Sequence, residues 1–203
     1  MLRVGLTGGI ACGKTNTLAE FQRLGVYGID ADQIGHEVIQ PGGSAYSQVV
    51  ERFGPEILNQ DGTINRSRLG RIVFTDESSR RDLNQIVHPR ILAEVERILC
   101  GLEDELSTLR PQVAMVDAAL MVETGSYEKY DVILVVYCHP EIQLRRLMSR
   151  DGLSESDALL RIRSQMPLLE KVRYADFVLD NSNRLSDTQR QIHHTFLELM
   201  ARV

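Results

Sequence analysis

The stretch LTGGIACGKTNT, residues 6–17, follows a short strand-like run, LRVG, and precedes an amphipathic helical pattern that ends near Gly25. Its residues 8–15 fit the spacing G-x-x-x-x-G-K-[ST], which is typical of a phosphate-binding loop between a strand and a helix. Glycines let such a loop curl until successive backbone N–H groups point at phosphate oxygens, and the helix N-terminus adds positive potential. The stretch therefore predicts a nucleoside triphosphate site after the first strand.

The loop residues have separate predicted roles. Lys14 would bridge the β- and γ-phosphates, and the hydroxyl of Thr15 would hold Mg²⁺. The chain has three lysines among its 23 basic residues, so the alternative, a glycine-rich turn that carries this lysine by chance and binds nothing, is the weaker one. The predicted ATP-binding residues of the loop are Gly9, Ile10, Ala11, Cys12, Gly13, Lys14, Thr15 and Asn16.

Length and composition limit the class of protein. A chain of 203 residues suffices for one well-filled α/β core. The net charge of -5 argues against a nucleic-acid partner, and no apolar run approaches the roughly 20 residues of a membrane-spanning helix. Because the first residues already look like a strand, we expect no signal peptide and a cytosolic location. No pattern indicates an obligate protein partner.

Strand patterns alternate with helical patterns, which predicts an α/β fold: a P-loop NTPase-type parallel sheet with helices on both faces. We expect one domain whose core comprises about residues 1–32, 110–140 and 175–203. A helical insertion is expected over about 33–109, and a further helical segment over about 141–174. Within the insertion, QPGGS and NQDG predict turns, and the sequence His88-Pro89-Arg90 predicts the start of a helix.

A small-molecule kinase needs a carboxylate that accepts a hydroxyl proton and arginines near the transferred phosphoryl group. Asp30 and Asp32 follow the second strand, at the sheet edge where parallel sheets bind ligands. Asp32 is the candidate base, whereas Asp30 is equally well explained as a helix cap, which would put Asp32 in the first turn of that helix. Asp117 ends the run VAMVD and is a candidate magnesium ligand. Arg146 and Arg150, four residues apart, would share one helix face.

Several short motifs occur in a characteristic order: GLTGGI, IDAD, RFGPEIL, HP, RDGLS, QM and DNS. In this order they resemble the dephospho-CoA kinase family along nearly the whole chain. The resemblance implies transfer of phosphate from Mg-ATP to the 3′-hydroxyl of the ribose of dephospho-CoA, the last step of coenzyme A synthesis. It also implies that the insertion binds this acceptor and that residues 141–174 form a lid.

The resemblance assigns further roles residue by residue. Asp32 matches the proposed general base of the family, and Arg146 matches a lid arginine that reaches toward the transferred phosphate. Arg66, His88 and Pro89 match positions of the acceptor-binding region, although a helix start explains the His-Pro pair as well. A further predicted ATP contact is Asn181, which matches a loop beside the adenine. Asp117 is left open, since this position is not always acidic in the family.

Two other functions stay open from the residues themselves. A nucleoside monophosphate or sugar kinase would share the loop, the base and the lid. An ATP-binding switch without phosphoryl transfer is more distant, because it needs neither Asp32 nor lid arginines. The chain lacks the N-K-x-D stretch with which a GTPase reads guanine.

Cys12 departs from the family pattern, in which a serine is usual. A thiol near Lys14 and a helix N-terminus is expected to have a lowered pKa and to be oxidised readily when ATP is absent. The alternative, that Cys12 fills a small buried site, is favoured.

Overall fold

The computed structural model describes residues 1–104 and 112–203, with all of their side chains but that of Phe74. These residues form two compact units. The first comprises Met1–Asp30 together with the described part of Glu105–Val203, and the second comprises Ala31–Asp104. The predicted division into core, insertion and lid stays a prediction, although the first boundary between units falls two residues from the predicted one.

The strands are β1 (Leu2–Gly8), β2 (Tyr27–Asp30), β3 (Val113–Asp117), β4 (Val132–Tyr137) and β5 (Phe177–Asp180). The helices are α1 (Lys14–Arg23), α2 (Ala31–Glu37), α3 (Tyr46–Phe53), α4 (Arg66–Thr75), α5 (Glu77–Asp104), α6 (Pro140–Asp151), α7 (Glu155–Arg163), α8 (Leu168–Lys171) and α9 (Leu185–Met200). Short 3₁₀ turns lie at Pro55–Ile57, Ser126–Lys129 and Val172–Tyr174.

The five strands form one sheet in the order β2-β3-β1-β4-β5, and all pairs are parallel. The carboxyl ends of the strands therefore meet at one edge, where β1 leads into the glycine-rich loop. In the register of the sheet, Asp117 of β3 is paired with Asp30 of β2 on one side and with Leu6 of β1 on the other. The predicted parallel α/β sheet is confirmed.

Apolar side chains cover both faces of the sheet. On one face Phe21 of α1 and Leu199 of α9 are fully buried against strand residues such as Leu134. On the other face Ile133 of β4 packs with Met121, beside helix α8. The prediction of helices on both faces is confirmed. Truncation of a buried residue such as Phe21 to alanine is expected to destabilise the protein by about 3–5 kcal/mol.

The second unit consists of helices α2 to α5, and α5 packs against α2, α3 and α4 within it. Turns occur at both predicted places, where Gly42 and Gly62 adopt positive φ angles of 84° and 81°. The prediction that His88-Pro89 begins a helix is wrong, because α5 runs unbroken through Pro89. Proline removes one intrahelical hydrogen bond, and here the packing of α5 on its neighbours outweighs that loss.

No helix among the described residues is both long and apolar enough to cross a membrane.

Candidate active site

The glycine-rich loop curls between β1 and α1 with two residues in the left-handed region. Ala11 has a φ of 59° and Gly13 a φ of 96°, and the N–H of Cys12 donates to the carbonyl oxygen of Gly9 at 3.2 Å. Gly13 is the N-cap of α1. Because glycine has no side chain, it does not accept a hydrogen bond from the N–H groups of the first helical turn. Such a helix start, preceded by a curled loop, is a site for phosphate.

Asn181, at the end of β5, supports the loop from one side. Its Nδ2 donates to the carbonyl oxygen of Cys12 at 2.8 Å, and its Oδ1 accepts a hydrogen bond of 3.0 Å from the hydroxyl of Thr188. A Cβ added to Gly13 would overlap with Asn181 Nδ2. Asn181 therefore fixes the loop backbone through its side chain, a role that the sequence did not predict.

Two glutamines hold the loop from the other side, and the sequence analysis missed both roles. Gln165 Oε1 accepts the N–H of Ile10 at 2.8 Å, and Gln143 Nε2 donates to the carbonyl oxygen of Ile10 at 2.9 Å. A Cβ on Gly9 would lie 2.5 Å from Gln143 Nε2. The only signal for Gln165 was its place in the family motif QM, and nothing in the sequence singled out Gln143.

A cavity of about 420 Å³ opens at the helix end of the loop. It brings together most of the residues predicted to bind ATP, and Arg146 with them. The lining residues are Ala11, Gly13, Lys14, Thr15, Asn16, Arg146, Arg150, Asn181, Asn183 and Leu185. Gly9, Ile10 and Cys12 are not among them, so within the loop the cavity wall is formed by its second half.

Lys14, which lines the cavity, lies beside the carboxylate of Asp117 at the end of β3. Lys14 Nζ lies 4.0 Å from Asp117 Oδ1, and their side chains are only 11% and 6% exposed. At this burial the attraction is stronger than on a protein surface, so Asp117 orients the lysine. The hydroxyl of Thr15 and the carboxylate of Asp117 are oxygen donors of the kind that Mg²⁺ takes, and the residues present therefore fit this ion. Among described residues, no group of three or more His, Cys, Asp or Glu could hold a metal.

One arginine of α6 and one of α7 pair with the same carboxylate. Asp151 is paired with Arg150 at 2.7 Å and with Arg161 at 2.8 Å. The hydrogen bond from Arg150 is the main cause that lowers the pKa of Asp151 below its usual value. Arg146 lies one turn before Arg150 on the same helix, and both line the cavity, so the prediction of a shared face is confirmed.

Cys12 lies behind the cavity wall and is fully buried. Its Sγ is 3.1 Å from Sγ of Cys138, which follows β4 and is also fully buried. The hydrogen bond with Cys138 and the burial raise the pKa of the Cys12 thiol. The expectation of a lowered pKa is therefore wrong, and the structure agrees with the alternative that Cys12 fills a small site.

The remaining candidates lie in the second unit. Asp32 is in the first turn of α2, as predicted, and is exposed. Arg66 is the first residue of α4, and its Nη2 donates to Nε2 of His36 over 2.6 Å. His88 and Pro89 lie in the middle of α5. The roles of these four residues stay predictions.

Comparisons with known proteins agree with one another. The family model described as "CoaE: Dephospho-CoA kinase" matches residues 2–187. The "Dephospho-CoA kinase" of Aquifex aeolicus is 40% identical over 199 residues, which cover 98% of each chain. A crystal structure of a protein from Thermus thermophilus matches with a TM-score of 0.77 and 29% identity, and the match covers 98% of this chain and 97% of the Thermus chain. "Dephospho-CoA kinase from Campylobacter jejuni" has a TM-score of 0.71 and 28% identity, and covers 99% of this chain and 98% of its own.

Proposed function

The chain belongs to the dephospho-CoA kinase family, and from this premise we propose that it transfers the γ-phosphoryl group of ATP to the 3′-hydroxyl of the ribose of dephospho-CoA. The acceptor oxygen forms the new bond to phosphorus, the bond to the bridging oxygen of ADP breaks, and the acceptor proton leaves. The products are coenzyme A and ADP. The observation that carries the proposal is the cavity that unites the loop residues with Arg146.

The donor half of the reaction rests on the loop and on α6. The N–H groups at the start of α1 bind the phosphates, and Lys14 neutralises charge on the β- and γ-phosphates. Because Lys14 is nearly buried beside Asp117, its ammonium group is held in place rather than free to rotate in solvent. Arg146, which lines the same cavity, stabilises the charge that spreads over the equatorial oxygens of the transferred group.

Magnesium would be held by Thr15, with Asp117 as a second oxygen donor. When bound, the ion neutralises the β- and γ-phosphate oxygens and favours departure of ADP. The loop motif admits serine or threonine at this position, and Thr15 supplies the same hydroxyl oxygen as serine would.

The acceptor half rests on the second unit. Asp32 accepts the proton of the attacking hydroxyl as general base, and its exposure in the first turn of α2 supports this role. Arg66, His88 and Pro89 bind dephospho-CoA, and Arg66 supplies positive charge for its phosphates. His36 accepts a hydrogen bond from Arg66, which restrains the guanidinium group before the acceptor arrives.

ADP release from Mg-ATP, with and without dephospho-CoA, tests the proposal. We expect acceptor-dependent release that is absent with a 3′-deoxy acceptor. Asp32→Asn should lower kcat by about 10²–10⁴-fold while ATP still binds, because only proton removal is lost. The matched control is Glu51→Gln, an exposed carboxylate of α3, which should leave the rate unchanged.

Each outcome bears on a separate part of the proposal. Turnover of a nucleoside monophosphate or a sugar in place of dephospho-CoA would overturn the acceptor assignment. Family membership favours dephospho-CoA over these two acceptors. Full activity of Asp32→Asn would overturn the assignment of the base alone. A cytosolic location and independence of nucleic acids, membranes and protein partners remain predictions.

A further inference from the structure

Lys171, the last residue of α8, is a buried cation that the proposed mechanism does not use. Its side chain is 0% exposed, and its Nζ donates to Oε1 of Glu123 at 2.8 Å and to the carbonyl oxygen of Ala119 at 2.6 Å. Burial lowers the pKa of Lys171, while the carboxylate of Glu123 opposes that shift.

An ion pair whose lysine is fully buried needs an explanation beyond stability. Removal of the ammonium group from water offsets most of its attraction to Glu123, and an apolar side chain of similar volume often stabilises a protein as well. Such a pair does, however, restrict the geometry of the segments that carry it.

The contacts of Glu123 lead to the loop. The same carboxylate oxygen that pairs with Lys171 accepts the backbone N–H of Met166 at 3.0 Å. Gln165 precedes Met166, and its side chain accepts the N–H of Ile10. The ion pair thus fixes the backbone next to the residue that binds the loop.

The contacts of Ala119 lead to the same place by a second route. The carbonyl oxygen of Ala119 accepts from Lys171 and also from the hydroxyl of Thr7, at 3.3 Å. Thr7 is the penultimate residue of β1 and stands two residues before Gly9. Lys171 therefore ties α8 both to the segment after β3 and to the strand that carries the loop.

We propose that the ion pair between buried Lys171 and partly exposed Glu123 is a positioning element, which fixes the segment that holds Gln165 against the phosphate-binding loop. With Gln143 on the carbonyl side of Ile10 and Gln165 on the N–H side, the peptide groups on both sides of this residue are clamped. A loop held in its curled conformation binds phosphate without first losing conformational freedom. The pair acts on ATP through the loop and touches neither substrate.

Equilibrium binding of Mg-AMPPNP, a non-hydrolysable ATP analogue, is the test. Lys171→Met keeps an unbranched side chain that is one heavy atom shorter and removes the charge, and the Kd should rise about tenfold, which is the loss expected for one charge-assisted hydrogen bond. Gln165→Met removes only the contact with Ile10 and should raise the Kd by a similar factor. The double variant should bind no more weakly than the weaker single variant, because both changes release the same clamp.

The control is Lys129→Met, which removes an exposed lysine with the same change in net charge and should leave the Kd unchanged. The KM for dephospho-CoA should stay within about twofold in all variants, since they alter only the loop. A lower midpoint of thermal unfolding with an unchanged Kd would overturn the proposal and leave a purely structural pair. Additive losses in the double variant would also overturn it.

The inference rests on the proposed function only in taking ATP as the ligand of the loop. Because the binding test needs no acceptor, a failure of dephospho-CoA turnover would leave its result intact. If Lys171→Met does not fold, Gln165→Met and Glu123→Gln decide the matter. Glu123→Gln should weaken binding as Gln165→Met does, and unchanged binding in both would overturn the proposal.

Discussion

Substitution of Gly13 by alanine tests the geometry on which the site depends. Two features oppose a side chain at this position. The backbone has a φ of 96°, and the added Cβ would overlap with Nδ2 of Asn181. Gly25 has nearly the same φ, 95°, but no described atom beyond its chain neighbours lies within 4 Å of the point that its Cβ would occupy. Gly25→Ala is therefore a matched control that contains the backbone strain without the overlap.

The two terms have separate magnitudes. A left-handed backbone conformation costs an L-residue about 1–2 kcal/mol, which both variants share. In Gly13→Ala, Asn181 must also move and give up its hydrogen bonds to Cys12 and from Thr188, worth about 1 kcal/mol each. We expect Gly13→Ala to lower the free energy of unfolding by about 3–4 kcal/mol and Gly25→Ala by about 1–2 kcal/mol.

Urea denaturation without nucleotide measures both values. The double variant Gly13→Ala/Asn181→Ala should be less destabilised than the sum of its single changes, because the truncated Asn181 leaves room for the Cβ. Equal losses for Gly13→Ala and Gly25→Ala would refute the close approach of Asn181 to the loop. Strict additivity in the double variant would refute it as well.

Three further predictions follow from single contacts. Iodoacetamide should alkylate exposed Cys100 much faster than buried Cys12 in the folded protein, because the hydrogen bond with Cys138 and burial raise the pKa of Cys12. Peptide mapping measures the two rates, and rapid ATP-protected labelling of Cys12 would contradict the prediction. Ser154→Ala, which removes the N-cap that accepts the N–H of Asp157, should destabilise by about 1 kcal/mol in urea, and an unchanged midpoint would mean that the cap is not formed. Hydrogen bonds from Ser79 and Ser78 hold the pKa of Asp76 below its ordinary value of 3.8. The stability that these bonds contribute is therefore complete above that pH and is lost as the pH falls below it. The difference in urea midpoint between the parent and Asp76→Asn should change only below about pH 4.

Local patterns in the sequence predicted the elements with short-range causes. The spacing from Gly8 to Thr15 identified the phosphate-binding loop, and apolar runs identified the strands, because each of these signals lies within about ten residues. The same reasoning failed at Pro89. Proline is unfavourable inside a helix on local grounds, and only the packing of the 28-residue helix α5 explains why the helix continues through it.

For the candidate site, the sequence predicted that Lys14 and Thr15 and, through the family resemblance, Arg146 act on the phosphates, and the structure places all three in the lining of one cavity. The sequence also assigned Asp32 to the first turn of a helix. The support of the loop could not be predicted in this way. Gln143 and Gln165 are ordinary polar residues in helical or turn segments, and no local pattern separates a glutamine that holds a loop from one that faces solvent. The pairing of Cys12 with Cys138 reversed the predicted direction of a pKa shift for the same reason.

The sequence by itself determined the α/β order, the position of the phosphate-binding loop and, through its motifs, the family, since these depend on residues close together in the chain. Only the tertiary structure decided what holds the loop in shape. Ile10 and Gln165 are 155 positions apart, and Cys12 and Cys138 are 126 apart. The two cysteines meet because they follow strands β1 and β4, which are neighbours in the parallel sheet. Such contacts follow from the order of strands in space, which the chain fixes only when the whole core packs at once.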